Sequence, residues 1–311
     1  MFLRNILYRG LLSGWLLAWL LVSAGVAAEK LRPFVLASVE AGPLSTVVER
    51  VRDKLKQGGF QIVGAYAPYR SAYVLAVTTP ELMKIVVDDP NAAWLAAVRV
   101  AATRVGDRIQ ISYANPDYLR YAYRIKASLS GVTRHLRDAL GAQLSFGARN
   151  MTARKLRRYH YAFGMEYFDD QMELVDYGNY NSALRQVGKH LRERSDGVSR
   201  VYQVDLPDVQ RTLLGVAITQ GEGSDGKVMA AIDKGRYRHT AHLPYEILID
   251  GGKVKALHPR FRIAIDFPDL KMSGKTSFFQ IMSSPDAIQQ ALTQAVGGKV
   301  NTEGSAEFFR D

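Results

Sequence analysis

Apolar residues along this chain recur with two alternating periods, and the order of those periods repeats once. Residues 34–39 read as a short strand. After the Gly42-Pro43 break, Leu44, Val47, Val48, Val51 and Leu55 make the apolar stripe of a helix over 44–56, and Gly58-Gly59 ends it. Two strand-like runs follow, 60–66 and 72–78, separated by turn-rich sequence around Pro68. Pro80 suits the first turn of a short helix over 81–87, which Asp88-Asp89-Pro90 closes. Runs 98–104 and 108–113 form a hairpin pattern about Gly106-Asp107, and Asn115-Pro116 breaks it before helical sequence up to Leu140-Gly141.

The second half runs through the same order. Residues 172–176 are strand-like, and 182–194 carry Ala183, Leu184, Val187 and Leu191 on one helical side. Paired strands are expected over 200–206 and 212–219, a short helical piece over 228–233, and a hairpin over 245–257 about Asp250-Gly251-Gly252. Phe267-Pro268-Asp269 aligns with Asn115-Pro116-Asp117, although an additional stretch over 258–265 leaves that alignment open. A last helix over 286–296 ends at Gly297-Gly298. The repeat is one of element order and punctuation rather than of residues. The expected organisation is a first lobe over 29–141, a linking basic and aromatic segment over 142–171, a second lobe over 172–299 and a flexible tail over 300–311. The expected fold class is α/β in the α+β sense. Each of two similar lobes would be a small, mostly antiparallel sheet with helices packed on one side.

Ahead of this pattern the first 28 residues differ in kind. Arg4 and Arg9 precede an uncharged apolar run over 11–22, and Val26 and Ala28 occupy the −3 and −1 positions of a cleavage site before Glu29. This reads as a signal peptide cut near Ala28, giving a periplasmic or secreted protein. A retained anchor would call for about 20 apolar residues. The chain has no cysteine, which excludes a lipidated N-terminal cysteine, disulfides, thiol catalysis and thiolate metal sites. The formal charge is +11. In an exported protein that excess points to an unknown small or anionic ligand, or to a membrane-surface or envelope partner, rather than to nucleic acid. A charge spread over the surface merely for solubility is the alternative.

The punctuation of the first half, Gly58-Gly59-Phe60, Thr79-Pro80-Glu81-Leu82, Asp89-Pro90, Gly106-Asp107 and Asn115-Pro116, resembles the bacterial and archaeal domain of unknown function 302. That domain is a small α/β unit with helices on one side of a sheet. Blocks YHYAFGMEYFDD (159–170), HTAHLPYEILIDGGKV (239–254) and RFRIAIDFPDL (260–270) extend the resemblance to exported proteobacterial proteins carrying it, here in tandem copy. The family implies a fold and no activity, so no catalytic residue carries over.

Candidate chemistry is sparse. His239 and His242 form an H-x-x-H pair, which on a helical turn would share a face. With His160 and His258 they are candidate ligands for zinc, copper or haem, with Met165, Met229 or Met272 as thioethers for copper(I). Leu243-Pro244 argues for extended chain there, and the spacing completes no established metal motif. Imidazoles bonded to backbone carbonyls are the alternative. Gly221 to Gly226 and Gly274-Lys275-Thr276 are incomplete phosphate loops and read as turns. Glu166, Asp169, Asp170 and Glu173 could orient His160 or neutralise the basic run Arg154 to Arg158. Tyr118, Tyr121, Arg120 and Arg124 could line a cleft or rim a core.

The reading reached is a binding module rather than an enzyme. Its candidate ligand site is a cleft between lobes, floored by the linking segment Arg157 to Asp170 and the strand entry His239 to Tyr245, with Arg157, Tyr159, Tyr161 and Tyr245 as candidate ligand-binding residues. A histidine-based metal or haem redox protein and a structural or assembly factor of the envelope are the alternatives.

Overall fold

The computed structural model describes residues 29–193 and 197–300. The expected signal at 1–28, and the tail from 301 onward, lie outside the described residues. The first half contains β1 (Phe34–Ala41), α1 (Leu44–Gln57), β2 (Gln61–Tyr66), β3 (Ala72–Thr78), α2 (Pro80–Asp88), β4 (Val98–Val105) and β5 (Arg108–Ala114). It continues with α3 (Pro116–Ala122) and α4 (Ser130–Leu140), followed by β6 (Leu144–Phe146) and α5 (Ala153–Leu156). The second half contains β7 (Met172–Asp176), α6 (Tyr180–Glu193), β8 (Val198–Leu206), β9 (Arg211–Ile218), α7 (Asp225–Ile232), β10 (Tyr245–Asp250) and β11 (Lys253–Ala256). It ends with α8 (Pro259–Asp266) and α9 (Ser284–Ala295).

The mixed α/β class expected from the periodicity is found, and the sheet is antiparallel throughout. Its extent was not expected. One eleven-stranded sheet runs through both halves in the order β6-β1-β5-β4-β3-β2-β8-β9-β10-β11-β7. Outward from the β2/β8 seam, one side runs β3, β4, β5, β1 and the other β9, β10, β11, β7. Apart from the edge strand β6, which has no counterpart beyond β7, the connectivity of the two sides is therefore equivalent strand for strand.

The seam itself is slight, with Gly64 opposite Tyr202. A Cβ on Gly64 would come within 2.3 Å of the Val201 carbonyl oxygen and 2.6 Å of Tyr202 Cβ, so only glycine permits this approach. Side chains across one face of the sheet do more to hold the halves. The registers define a single row, Arg99–Ala76–Gly64–Tyr202–Gly215–Glu246. Between β4 and β10 lie five strand steps, about 24 Å in a flat sheet at ~4.8 Å per step. Yet Arg99 Nη1 donates to Glu246 Oε1 at 2.7 Å. The sheet must curl about the seam until the two ends of this row meet.

Alternation along the strands tells the same story. In β9 and β10, Leu214, Val216, Ile247 and Ile249 pack with Ala183, Val187 and Leu191 of α6, whereas Leu213 and Leu248 join the core of the first half. Two short 3-10 turns cross over reciprocally. Pro90–Leu95 of the first half packs on β9 and β10, and Thr240–His242 of the second packs on β3, β4 and β5.

The stretch after β11 resolves the open alignment. Helix α8 follows β11 as α3 follows β5, so His258-Pro259, not Phe267-Pro268, stands in the place of Asn115-Pro116. The cap chemistry explains it. Asn115 Oδ1 accepts from Asp117 N at 3.1 Å and His258 Nδ1 from Arg260 N at 3.3 Å, each followed by proline at the first helical position.

Candidate functional site

The C-terminus of α8 organises the junction between the halves. A helix end leaves its last carbonyls without intrahelical donors, and three side chains from elsewhere supply them. Tyr159 Oη donates to Ala264 O at 3.1 Å and Tyr118 Oη to Ile265 O at 2.8 Å. His239 Nδ1 donates to Asp266 O at 2.9 Å. Tyr161, from the same segment as Tyr159, donates to Leu270 O at 2.6 Å. The phenols of Tyr159 and Tyr161 are thus committed to backbone. Arg157 lies over the Tyr121 ring, 5.1 Å from its centroid. Tyr245 is buried in the core, its hydroxyl 3.3 Å from His242 Nε2.

Inside the junction lies a charged cluster. Arg99, Glu246, Arg262, Asp266 and His242 are all buried. Glu246 Oε1 accepts from both Arg99 and, at 2.7 Å, Tyr202 Oη. Arg99 Nε donates to Ala241 O at 2.8 Å, tying β4 to the crossing turn. Asp266 accepts from Arg262 Nη1 and from His242 Nδ1, the latter at 2.8 Å. Burial pushes the Asp266 carboxyl up, but Arg262 and His242 outweigh it and hold it at about 2. Burial and the neighbouring Arg262 push His242 down to about 4, so it is neutral.

The histidines do not converge. His160 Nδ1 donates to Ala162 O at 2.7 Å and its ring lies against Tyr167. His258 Nε2 is 3.2 Å from Glu166, so the carboxylate expected near His160 serves His258 instead. Among the described residues no group of three or more histidines, aspartates or glutamates is placed to hold a metal ion.

Unlike fully buried His242, His239 borders open space. It lines a cavity of about 660 Å³ between the 147–149 stretch of the linking segment and residues 232–239 and 267–276 of the second half. Phe34, Phe146 and Phe267 surround its ring, Phe267 stacked at 4.5 Å. With Nδ1 committed to Asp266 O, and burial lowering the ring to about 4, Nε2 presents a lone pair. Gly147 lines the same cavity, and its φ of +97° requires glycine. A Cβ there would also sit 3.0 Å from His239 Cε1. Arg32, Arg149, Lys271 and Lys275 line the walls. The acids are Asp269, 3.6 Å from Arg149, and Asp233, whose oxygens accept from His239 N at 3.0 Å. Burial raises Asp233 to about 7. Asp233 also borders a second cavity of about 340 Å³, lined by Tyr69, Thr103, Arg104, Lys234 and Arg238.

The sequence reading singled out His239 and missed Asp233, Arg32, Arg149 and Lys271. It took Lys275 only as part of a turn. It also missed Arg99, Glu246, Arg262 and Asp266. For these four a signal existed: single charges inside the apolar strands VRVAA and YEILI, and an Arg/Asp pair four apart in RFRIAID. For the cavity cations there was none, since surface lysines and arginines abound.

No protein-family model matches the chain, and no curated protein matches it. Among solved structures, an uncharacterized conserved protein of domain of unknown function 302 from Bacillus stearothermophilus matches over 33% of this chain and 92% of its own, at 13% identity. The TM-score of 0.30 makes that a weak likeness on which no function rests.

Proposed function

We propose that this protein binds a small anionic ligand in the cavity beside His239. The observation that carries the reading is the balance of the walls. Four cationic side chains face one acid already paired with Arg149 and a second, Asp233, that burial keeps partly protonated near neutral pH. Neutral His239 adds an acceptor, so the fitting ligand combines an anionic group with a hydrogen-bond donor. An aromatic box about that imidazole keeps it in place. Of the expected cleft, His239 borders this cavity, whereas the phenols of Tyr159, Tyr161 and Tyr245 bond within the framework and Arg157 lies over the Tyr121 ring. Equivalent strand connectivity on the two sides of the seam supports reading the halves as tandem copies of one unit, of the domain of unknown function 302 kind. The signal-like N-terminus supports a periplasmic setting.

Calorimetric titration with citrate and with inorganic phosphate tests the reading. Binding of at least one is expected, weakened about tenfold in Lys271→Ala/Lys275→Ala, as loss of charge-assisted contacts implies. Arg104→Ala, in the second cavity, is expected to leave it unchanged. No binding of either anion, or equal binding by the double variant, rejects the assignment.

A further inference from the structure

We infer that the face built from residues 154–163 and 271–282 docks on an anionic lipid surface. Six large hydrophobic side chains stand exposed among the described residues, and all but Val87 lie on or next to these segments: Phe163, Tyr167, Met272, Phe279 and Met282. Phe163 is fully exposed, at 102% of its reference area. Such concentration marks an interaction surface, because scattered single exposures are the ordinary condition.

The two segments are stitched together. Tyr161 Oη donates to Leu270 O at 2.6 Å, and its ring stacks on Phe278 with centroids 5.9 Å apart. Phe278 N donates to Lys271 O at 2.8 Å and Phe279 N to Met272 O at 3.1 Å. Exposed Phe163 and Phe279 therefore lie within two residues of a contact between half-buried Tyr161 and buried Phe278 that fixes one segment against the other.

Charge selects the occupant. Residues 153–165 contain Arg154, Lys155, Arg157 and Arg158 and no acid; residues 271–282 contain Lys271 and Lys275 and no acid. All six cations are exposed, and none pairs with a carboxylate among the described residues. Of the neighbouring acids, Glu166 pairs with His258 and Arg260, Asp169 with Arg124 and Asp269 with Arg149, while Asp170 accepts from Tyr167 N at 2.8 Å, leaving six cations against one acid without a cationic partner. Apolar tips set among unpaired cations suit the headgroup boundary of an anionic bilayer, where the rings enter the interface and the cations meet phosphates. A second copy of a chain with formal charge +11 would meet like charge at this face.

Hydrogen exchange of the full chain with vesicles tests this, and a local readout is chosen because the apolar run at 11–22 is common to every variant. Slower exchange at 161–164 and 271–282 is expected with vesicles containing about 30% phosphatidylglycerol, and not with pure phosphatidylcholine. Raising salt to about 0.5 M should reverse it, since the Debye length then shrinks to about 4 Å. Phe163→Ser/Phe279→Ser/Met282→Ser, all exposed positions outside the cavity walls, should lose the protection about tenfold through lost apolar burial. The proposal is overturned by no vesicle-dependent change at these segments, by equal protection with phosphatidylcholine, or by an unaffected triple variant. Protection that tracks protein concentration without vesicles would assign the face to self-association and overturn it as well.

Discussion

The two sides of the sheet share their strand order but not their chemistry at matching places. At equivalent positions about the seam stand Gly64 and Tyr202, Ala76 and Gly215, Arg99 and Glu246. A large side chain on one side thus meets a minimal one on the other, and a cation meets an anion. Two identical units placed this way would set arginine against arginine. The difference teaches that the junction depends on the halves having diverged: complementarity, rather than similarity, closes the curled sheet. The crossing turns differ in the same sense. Ala92, Ala93 and Trp94 cross one way, while Thr240, Ala241 and His242 cross the other.

Breaking the charge complementarity is expected to have the largest effect. In Glu246→Ala, Arg99 keeps its bond to Ala241 O but stays fully buried without its carboxylate, and Tyr202 loses its acceptor. Removing one member of a buried pair costs about 3–5 kcal/mol, to be read from denaturant midpoints. Replacing both by apolar residues, Arg99→Met/Glu246→Met, should recover much of that, because no uncompensated charge remains. A double variant as unstable as the summed singles would mean the pair does not act as a unit.

How much of this was legible beforehand depends on range. Local rules placed most elements closely: 72–78 is β3, 172–176 is β7, and the stripe from Leu44 to Leu55 is α1. The helical stretch before Leu140 splits into α3 and α4, since Arg124 adopts a φ of +54° and ends the first. Turn signals also gave the hairpins β4/β5 and β10/β11 and the pair β8/β9, but not the pairings of β1 with β5, β3 with β4, β9 with β10 or β11 with β7. What alternation could not give was the continuation of the sheet across β2 and β8. That pairing is between strands far apart in sequence and turns on Gly64, whose role is close approach rather than a turn. Of the site, His239 was visible as a histidine, but its environment comes from Phe34, Phe146 and Phe267, which no local pattern connects.

The steric complementarity can be sharpened next. Gly215→Ala would bring its Cβ within 2.0 Å of Tyr202 Cε1, whereas the equivalent Ala76 has Gly64 as its neighbour on the seam side. Overpacking of this kind costs about 1–3 kcal/mol. Adding Tyr202→Leu should relieve the clash, so that Gly215→Ala costs less in that background than alone. Gly64→Ala meets the Val201 carbonyl as well as Tyr202, so the same second substitution should not rescue it. Equal rescue of both would mean that the seam is not held by backbone approach.

The smallest expected effect concerns pH, and it separates the second half from the first. His239 and His242 are held at about 4 against an ordinary 6.5, mainly by burial. As pH falls through that interval the unfolded chain takes up protons first, and stability is lost. Asp225 and Asp233 are raised by burial to about 7 from 3.8. There the folded chain retains protons that the unfolded chain releases, so stability is lost as pH rises over 3.8 to 7. Between pH 4 and 6.5 the two pairs offset, and His258, which burial also pushes below its ordinary value, leaves a small loss toward acid. Each group alone contributes a slope on the order of 1 kcal/mol per pH unit. Asp233→Asn removes one acid from the balance. Its stability, measured by urea unfolding from pH 4 to 6.5, should fall toward acid more steeply than that of the parent by about that slope. No equivalent device exists in the first crossing turn, where residues 92–95 are Ala-Ala-Trp-Leu. Parallel pH profiles for the parent and Asp233→Asn would show that Asp233 does not carry the retained proton.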